Sequence, residues 1–247
     1  MKTFSKLLKN ELKLSIRGMD MIIFALFMPI VVLVILGITY GNQPVNEEVS
    51  FTWIQQSFGA LSTISICAGG VMGLPLVISD YREKKILKRY QVTPISPAII
   101  LVVHVTIYAI YSMTSLILLL LIARLFFNFH MYGSWLTFIG GYLLVMVSMF
   151  SIGMMVGGIS PNSKIASVIA SLLYFPMLIF SGATLPYEVM PEVLQKIVNV
   201  LPLTQGIKLL KKATVGSSIE EGMLALIVMV GIAIVCTFIS IKYFRWE

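Results

Sequence analysis

Six stretches of this chain carry no Asp, Glu, Lys or Arg: Met21 to Tyr40, Trp53 to Ser79, Pro97 to Ala123, Tyr132 to Ser160, Ile165 to Leu185 and Gly222 to Ile241. A hydrocarbon core about 30 Å thick is crossed by roughly 20 helical residues. Each run is therefore long enough to span a membrane, and several have length left over for tilt or overhang. Only 12% of the 247 residues are charged, against about a quarter in a soluble domain. The expectation is an all-α integral membrane protein with six transmembrane helices. The first run is about 20 residues long, too long for a signal-peptide core, and no small-x-small cleavage site follows it, so it is read as a retained anchor.

The net charge of +7 raises the question of nucleic acid, but its distribution answers it. With both termini on the cytoplasmic side, 13 of the 18 basic residues fall on inner segments. That asymmetry is the positive-inside signature of a multi-pass protein. No nucleic-acid partner is expected. Cys67 and Cys236 both lie inside apolar runs, where free cysteine acts as a small hydrophobe, and they indicate neither a disulfide nor a metal site.

The segment before the first run is amphipathic. At 100° per residue, Lys2, Lys6, Lys9, Lys13 and Arg17 share one arc of about 80°, with Phe4, Leu7, Leu8, Leu12, Leu14 and Ile16 on the other side. Residues 1–20 thus read as an interfacial helix on the inner membrane surface. Glu11 is the anomaly, a carboxylate on the apolar face that snorkels, pairs with a nearby lysine or meets a partner.

The stretch DYREKKILKRYQVTPIS, residues 80–96, repeats the pattern on a smaller scale. Ile86, Leu87 and Tyr90 gather on one side of a short helix, with Arg82, Lys84, Lys85, Lys88 and Arg89 on the other. Asp80 and Lys84 are spaced as an i,i+4 ion pair. Pro94 stops the helix, and Ser96-Pro97 reads as an N-cap with proline at the first position of the third crossing. Between the fifth and sixth runs, residues 183–221 carry prolines at 186, 191 and 202 and read as short helices at the outer interface, partly re-entrant. Ser65, Gly69 and Gly73 in the second run, and Gly153 and Gly157 in the fourth, sit at helical spacing suited to close packing.

Several chemistries lack their residues. No ionisable Asp, Glu, Lys or Arg lies within the runs, as ion-coupled carriers usually require. His104 and His130 are far apart, without clustered carboxylates, and read as packed or interfacial histidines. No Gly-Lys dipeptide occurs, so the chain has no P-loop with which to bind ATP.

Together these features resemble the membrane permease of type-two ATP-binding-cassette (ABC-2) exporters. The resemblance rests on DYREKKILKRYQVTPIS and on Ser181-Gly182, Pro186, Met190-Pro191 and Leu201-Pro202 before the last crossing. It implies a single permease domain over 1–247, which forms the translocation pathway as a dimer with a second copy or a paralogue. Two separate P-loop ATPase subunits would power it, with ATP and magnesium bound there and no cofactor on this chain. The expected location is a bacterial inner (plasma) membrane. The resemblance also makes residues 80–96 a cytoplasmic coupling helix. It implies ATPase contacts at Glu83, Ile86, Leu87, Arg89 and Tyr90, at Glu11 of the neighbouring interfacial helix, and at Ser160 and Asn162 in the turn between crossings four and five. Polar candidates along the pathway are Gln55, Gln56, Ser62, Thr63 and Ser65, and Ser171, Tyr174 and Ser181. The alternative is a membrane scaffold or assembly subunit that needs no nucleotide.

Overall fold

The structure, a computed structural model, describes residues 2–40, 43–44, 51–91, 96–184, 190–216 and 219–244. Nearly all of these residues are helical. Helix α1 (Lys2–Gly18) ends at Met19, whose left-handed φ of 54° separates it from α2 (Asp20–Ile22). A π-helical turn, Ile23–Phe27, then leads into α3 (Met28–Tyr40). The second crossing is α4 (Trp53–Cys67), a π-helical segment Ala68–Gly73, and α5 (Leu74–Glu83) in one continuous rod. There follow α6 (Ile86–Gln91), α7 (Pro97–Phe127), α8 (Trp135–Ile159) and α9 (Ser163–Phe180). The chain ends with α10 (Glu192–Val198), α11 (Pro202–Val215) and α12 (Ile219–Tyr243). Among the described residues six helices are long and apolar enough to cross a membrane: Ile23–Tyr40, Trp53–Glu83, Ala98–Phe127, Trp135–Ile159, Ser163–Phe180 and Gly222–Tyr243. The protein is a multi-pass, all-α membrane protein.

The crossing from Trp53 is central. Most of its length is buried, whereas the first and last crossings leave most of their surface outward. Its neighbours are α3, α7, α8, α9 and α11. It starts with a reciprocal cap: the Thr52 backbone N–H donates to Gln55 Oε1 at 2.7 Å and the Gln55 N–H to Thr52 Oγ1 at 3.4 Å. Glycines set its approach to α8. A Cβ on Gly153 would overlap the Gly70 carbonyl oxygen, and one on Gly157 would lie 3.0 Å from both Pro75 and Ile78. Gly69 and Gly73 both face the Tyr108 ring of α7. The small-residue spacing therefore does mark close packing, the route by which helices associate where lipid removes the hydrophobic drive. The wider π-helical turn at Ala68–Gly73 lies at this contact, and such segments frequently accompany functional sites.

Two boundaries differ from the sequence reading. Residues 80–96 do not form one discrete helix. Asp80 to Glu83 complete the second crossing, Lys84 and Lys85 turn with Lys85 at φ 57°, and only then does α6 begin. Ser96 precedes α7 in extended conformation, but its side chain makes no capping bond; Pro94 lies outside the described residues.

The segment before the last crossing is resolved into α10 and α11, and α11 enters the bundle. Leu203, Thr204, Ile207, Leu210 and Thr214 are all buried. Gly206 packs on Val145, ten residues into α8, while Ala213 meets Gly133 just before that helix. At 1.5 Å per residue α11 thus dips about 15 Å into the bundle. Pro186, part of the motif that marks this region, falls outside the described residues.

Gly153→Ala is expected to destabilise the protein by about 1–3 kcal/mol, seen as a lower unfolding midpoint in detergent. Gly140→Ala on the same helix should not, because nothing lies within 4 Å of a Cβ built there. Equal midpoints for the two variants would refute the close approach of α8 to the π-helical segment.

Candidate functional site

One end of the bundle carries the charges that flank the second crossing, and there the backbone of α8 comes to a stop. The last carbonyls of any helix lack intrahelical donors and carry partial negative charge. Arg82, the penultimate residue of α5, supplies the missing donors. Its Nη1 donates to the Gly158 carbonyl at 2.9 Å and its Nη2 to the Ser160 carbonyl. Arg82 is 5% exposed, so the basic side expected from the sequence loses this member; the guanidinium is an internal cap. Glu83 beside it takes the next residues of the same turn. Its carboxylate accepts from the Ser163 N–H at 2.9 Å and from the Ser163 hydroxyl. Adjacent residues of α5 thereby grip both sides of the turn between α8 and α9.

The turn has its own local order. Asn162 Oδ1 accepts from the Ile165 N–H at 2.8 Å and caps α9, and the buried Ser160 hydroxyl donates to Val156 O at 2.6 Å. Both were candidates for ATPase contact. Asn162 remains at the surface, but the Ser160 side chain is buried inside this chain.

Helix α6 lies beside this clamp. The Asp80–Lys84 pair expected from spacing forms at 2.8 Å. Leu87 is fully buried in the chain's own core and Ile86 half-buried, while Lys84, Lys85 and Lys88 are exposed. Leu87 therefore seats the helix on its own bundle and is closed to a partner, because an amphipathic face buries itself on the nearest apolar surface. The side chains of Arg89 and Tyr90 lie outside the described residues.

Glu11 also turns inward. Its Oε2 accepts a 2.6 Å hydrogen bond from the Tyr81 hydroxyl and lies 3.9 Å from His104 Nε2. It neither snorkels nor pairs with a lysine. One turn on, Tyr111 of α7 donates to Ser15 Oγ at 2.9 Å, so polar contacts fasten α1 to the bundle at two levels. The apolar residues Phe4, Leu7, Leu8 and Leu12 pack on the core, and Leu14 and Ile16 stay exposed.

Most polar candidates in the central crossing bond locally. Gln55 is part of the cap, Ser62 donates to Gly59 O at 2.8 Å and Thr63 to Ala60 O at 2.7 Å, all buried. Gln56 is half-buried near the same end. Ser171 of α9 is half-buried, and Tyr174 of α9, Ser181 just after it and Ser65 are buried with hydroxyls that find no partner among the described residues. Sequence placed Arg82 only on a basic side and His104 only among packed or interfacial histidines, and passed over Tyr81, since their partners are distant in the chain.

A family model for the ABC-2 type transporter matches residues 2–215. The chain belongs to this family and is the membrane component of a transporter. Two relatives share part of it: Nodulation protein J of Neorhizobium galegae, 28% identical over 94 residues, and Nodulation protein J of Rhizobium leguminosarum bv. viciae, 29% identical over 93. Each alignment covers 38% of this chain and 34% of the relative, so the chain matches about a third of the length of those proteins.

Replacing Arg82 by Gln leaves the terminal carbonyls of α8 without their charged donor. A loss of about 1–3 kcal/mol is expected, read as a lower unfolding midpoint, whereas Lys84→Gln, which breaks an exposed pair, should cost less than about 1 kcal/mol. The reverse ranking would show that the guanidinium does not hold the turn.

Proposed function

We propose that this chain is the permease of an ATP-driven exporter, working as a dimer and powered by separate P-loop ATPase subunits that bind ATP and magnesium. The observation that carries this reading is the Arg82–Glu83 grip on the α8–α9 turn. In permeases of this family the helix after the second crossing and the turn between the fourth and fifth are the surfaces expected to meet the ATPase. Here covalent continuity joins α6 to α5, and α5 holds the turn. A push on either surface is transmitted to both, and from there to the central crossing.

ATP binding would then move one rigid unit. A ligand shifts a conformational equilibrium only by binding the two states unequally, and packed helices switch between discrete arrangements. ATPase closure supplies the unequal contact at the basic end, and α5 passes it through the π-helical segment to the glycine contact with α8. The pathway lies between two copies along the first, second and fifth crossings, with Tyr174, Ser171 and Ser181 as its polar residues on α9. This end faces the cytoplasm, in keeping with the 13 basic residues assigned to the inner side.

Burial of Leu87 moves the docking surface to the outward side of α6: Ile86, with the exposed Lys84, Lys85 and Lys88. Complementary charge chiefly raises association rate and selects partners. Reversing Lys84, Lys85 and Lys88 to Glu should reduce ATPase co-purification about tenfold, a change of about 1.4 kcal/mol, and abolish transport while the permease still folds. Full recovery of the complex would exclude α6 as the dock. Purification without any nucleotide-binding partner would favour a scaffold.

Sidedness has its own check. In a cysteine-free background, Cys in place of Lys88 should resist an impermeant thiol reagent in intact cells and Cys in place of His130 should react. The opposite labelling would invert the topology.

A further inference from the structure

Beside the Glu11 contact lies a cavity of about 580 Å³, bounded by α1, α5, α7 and the first turns of α9. This falls within the roughly 300–1,000 Å³ of pockets that take small organic ligands. Its wall is apolar at Leu14, Val77 and Ile107 and aromatic at Tyr81 and Tyr108. Two acidic residues line it, and they differ in condition. Asp80 is paired with Lys84 at 2.8 Å. Glu11, with its side chain 15% exposed, has the Tyr81 hydroxyl and the His104 ring as neighbours, and no Lys or Arg pairs with it among the described residues. Lys164 lines the same cavity from α9.

His104 adds a second, independent observation. The residue is 6% exposed, and among the described residues Nε2 has no hydrogen-bond partner although Glu11 Oε2 is 3.9 Å away. A carboxylate withdrawn from water is costly unless a cation compensates it. Tyrosine ring faces also attract cations within about 6 Å. The wall thus offers a carboxylate with no Lys or Arg paired to it among the described residues, two tyrosine rings and an apolar floor, with Lys164 also in the lining.

We infer that this cavity is a binding site for an organic cation, an ammonium on an apolar body, with the charge against Glu11 and the body along Val77, Ile107 and Tyr108. The ammonium can belong to an amphipathic amine from the aqueous phase or to the headgroup of an aminophospholipid, since both present the same chemistry. Binding needs this chain alone. Only the step from bound ligand to exported cargo rests on the permease reading, so failure to pair with an ATPase would leave the binding curve unchanged.

The test uses the full chain in phosphatidylcholine nanodiscs and the amine probe dansylcadaverine, read by saturable energy transfer from tryptophan. Glu11→Gln keeps the acceptor for Tyr81 and removes the charge; it should weaken binding about tenfold or more. The N-acetylated probe, which has no charge, should bind wild type as weakly as the amine binds the variant. Val77→Trp, which fills the floor, should abolish binding at an unchanged unfolding midpoint. Competition by phosphatidylethanolamine incorporated in the disc identifies a lipid headgroup as the occupant, and its absence identifies a soluble amine. Equal binding of amine and acetylated probe overturns the site. So does wild-type affinity in Glu11→Gln or, should that variant not fold, in Val77→Trp.

Discussion

A guanidinium taken out of water must be surrounded by acceptors, and Arg82 finds them in the carbonyls of Gly158 and Ser160. The need is mutual, because the C-terminal carbonyls of α8 have no donors of their own. That single exchange fixes where the central crossing stands against α8, and where the turn to α9 lies. With Glu83 gripping Ser163 in the same turn, the order of the whole charged end follows: α6 leaves α5 beside the turn, and Leu87 seals it to the core.

Higher in the bundle the same pair of helices is held by shape. Gly153 and Gly157 let α8 approach the backbone of Gly70 and Pro75 and the side chain of Ile78 without room for a Cβ. Contacts this close are specific to one register, so α5 and α8 move together or separate outright. Interfaces of that kind amplify small shifts, because packed cores are bistable and resist gradual deformation. The permease proposed here would need such stiffness between the place where force enters and the helices that line its route. By contrast α1 is fastened to the bundle by hydroxyl and carboxylate contacts, at Tyr81–Glu11 and Tyr111–Ser15.

Much of this was legible in the residues. Six uncharged runs marked the crossings, since burial of charge in lipid is costly whatever the fold. The Asp80–Lys84 pair and the glycine stripes were readable because their partners sit at fixed helical spacing or need only smallness. Arg82 was not readable. Its acceptors are backbone carbonyls 76 and 78 residues away, and a carbonyl has no signature in sequence. Leu87 shows a different gap: amphipathic spacing says that a face is covered and is silent on what covers it. Glu11 stood out as a charge on an apolar face, but Tyr81, which explains it, lies 70 residues on. Residues 183–221 read as short, partly re-entrant helices from their prolines, but which piece enters was not readable, and the contact of Gly206 with Val145 shows that it is α11.

The most direct measurement is the distance between spin labels at Lys88 on α6 and Pro161 in the α8–α9 turn, taken in the proposed complex with an ATPase, with and without ATP. If Arg82 and Glu83 bind the two surfaces into one unit, the separation stays constant within about 2 Å, the scale of ordinary helix shifts. A change as large as one helical turn, about 5.4 Å, would show that the two surfaces move independently and that the clamp does not transmit force.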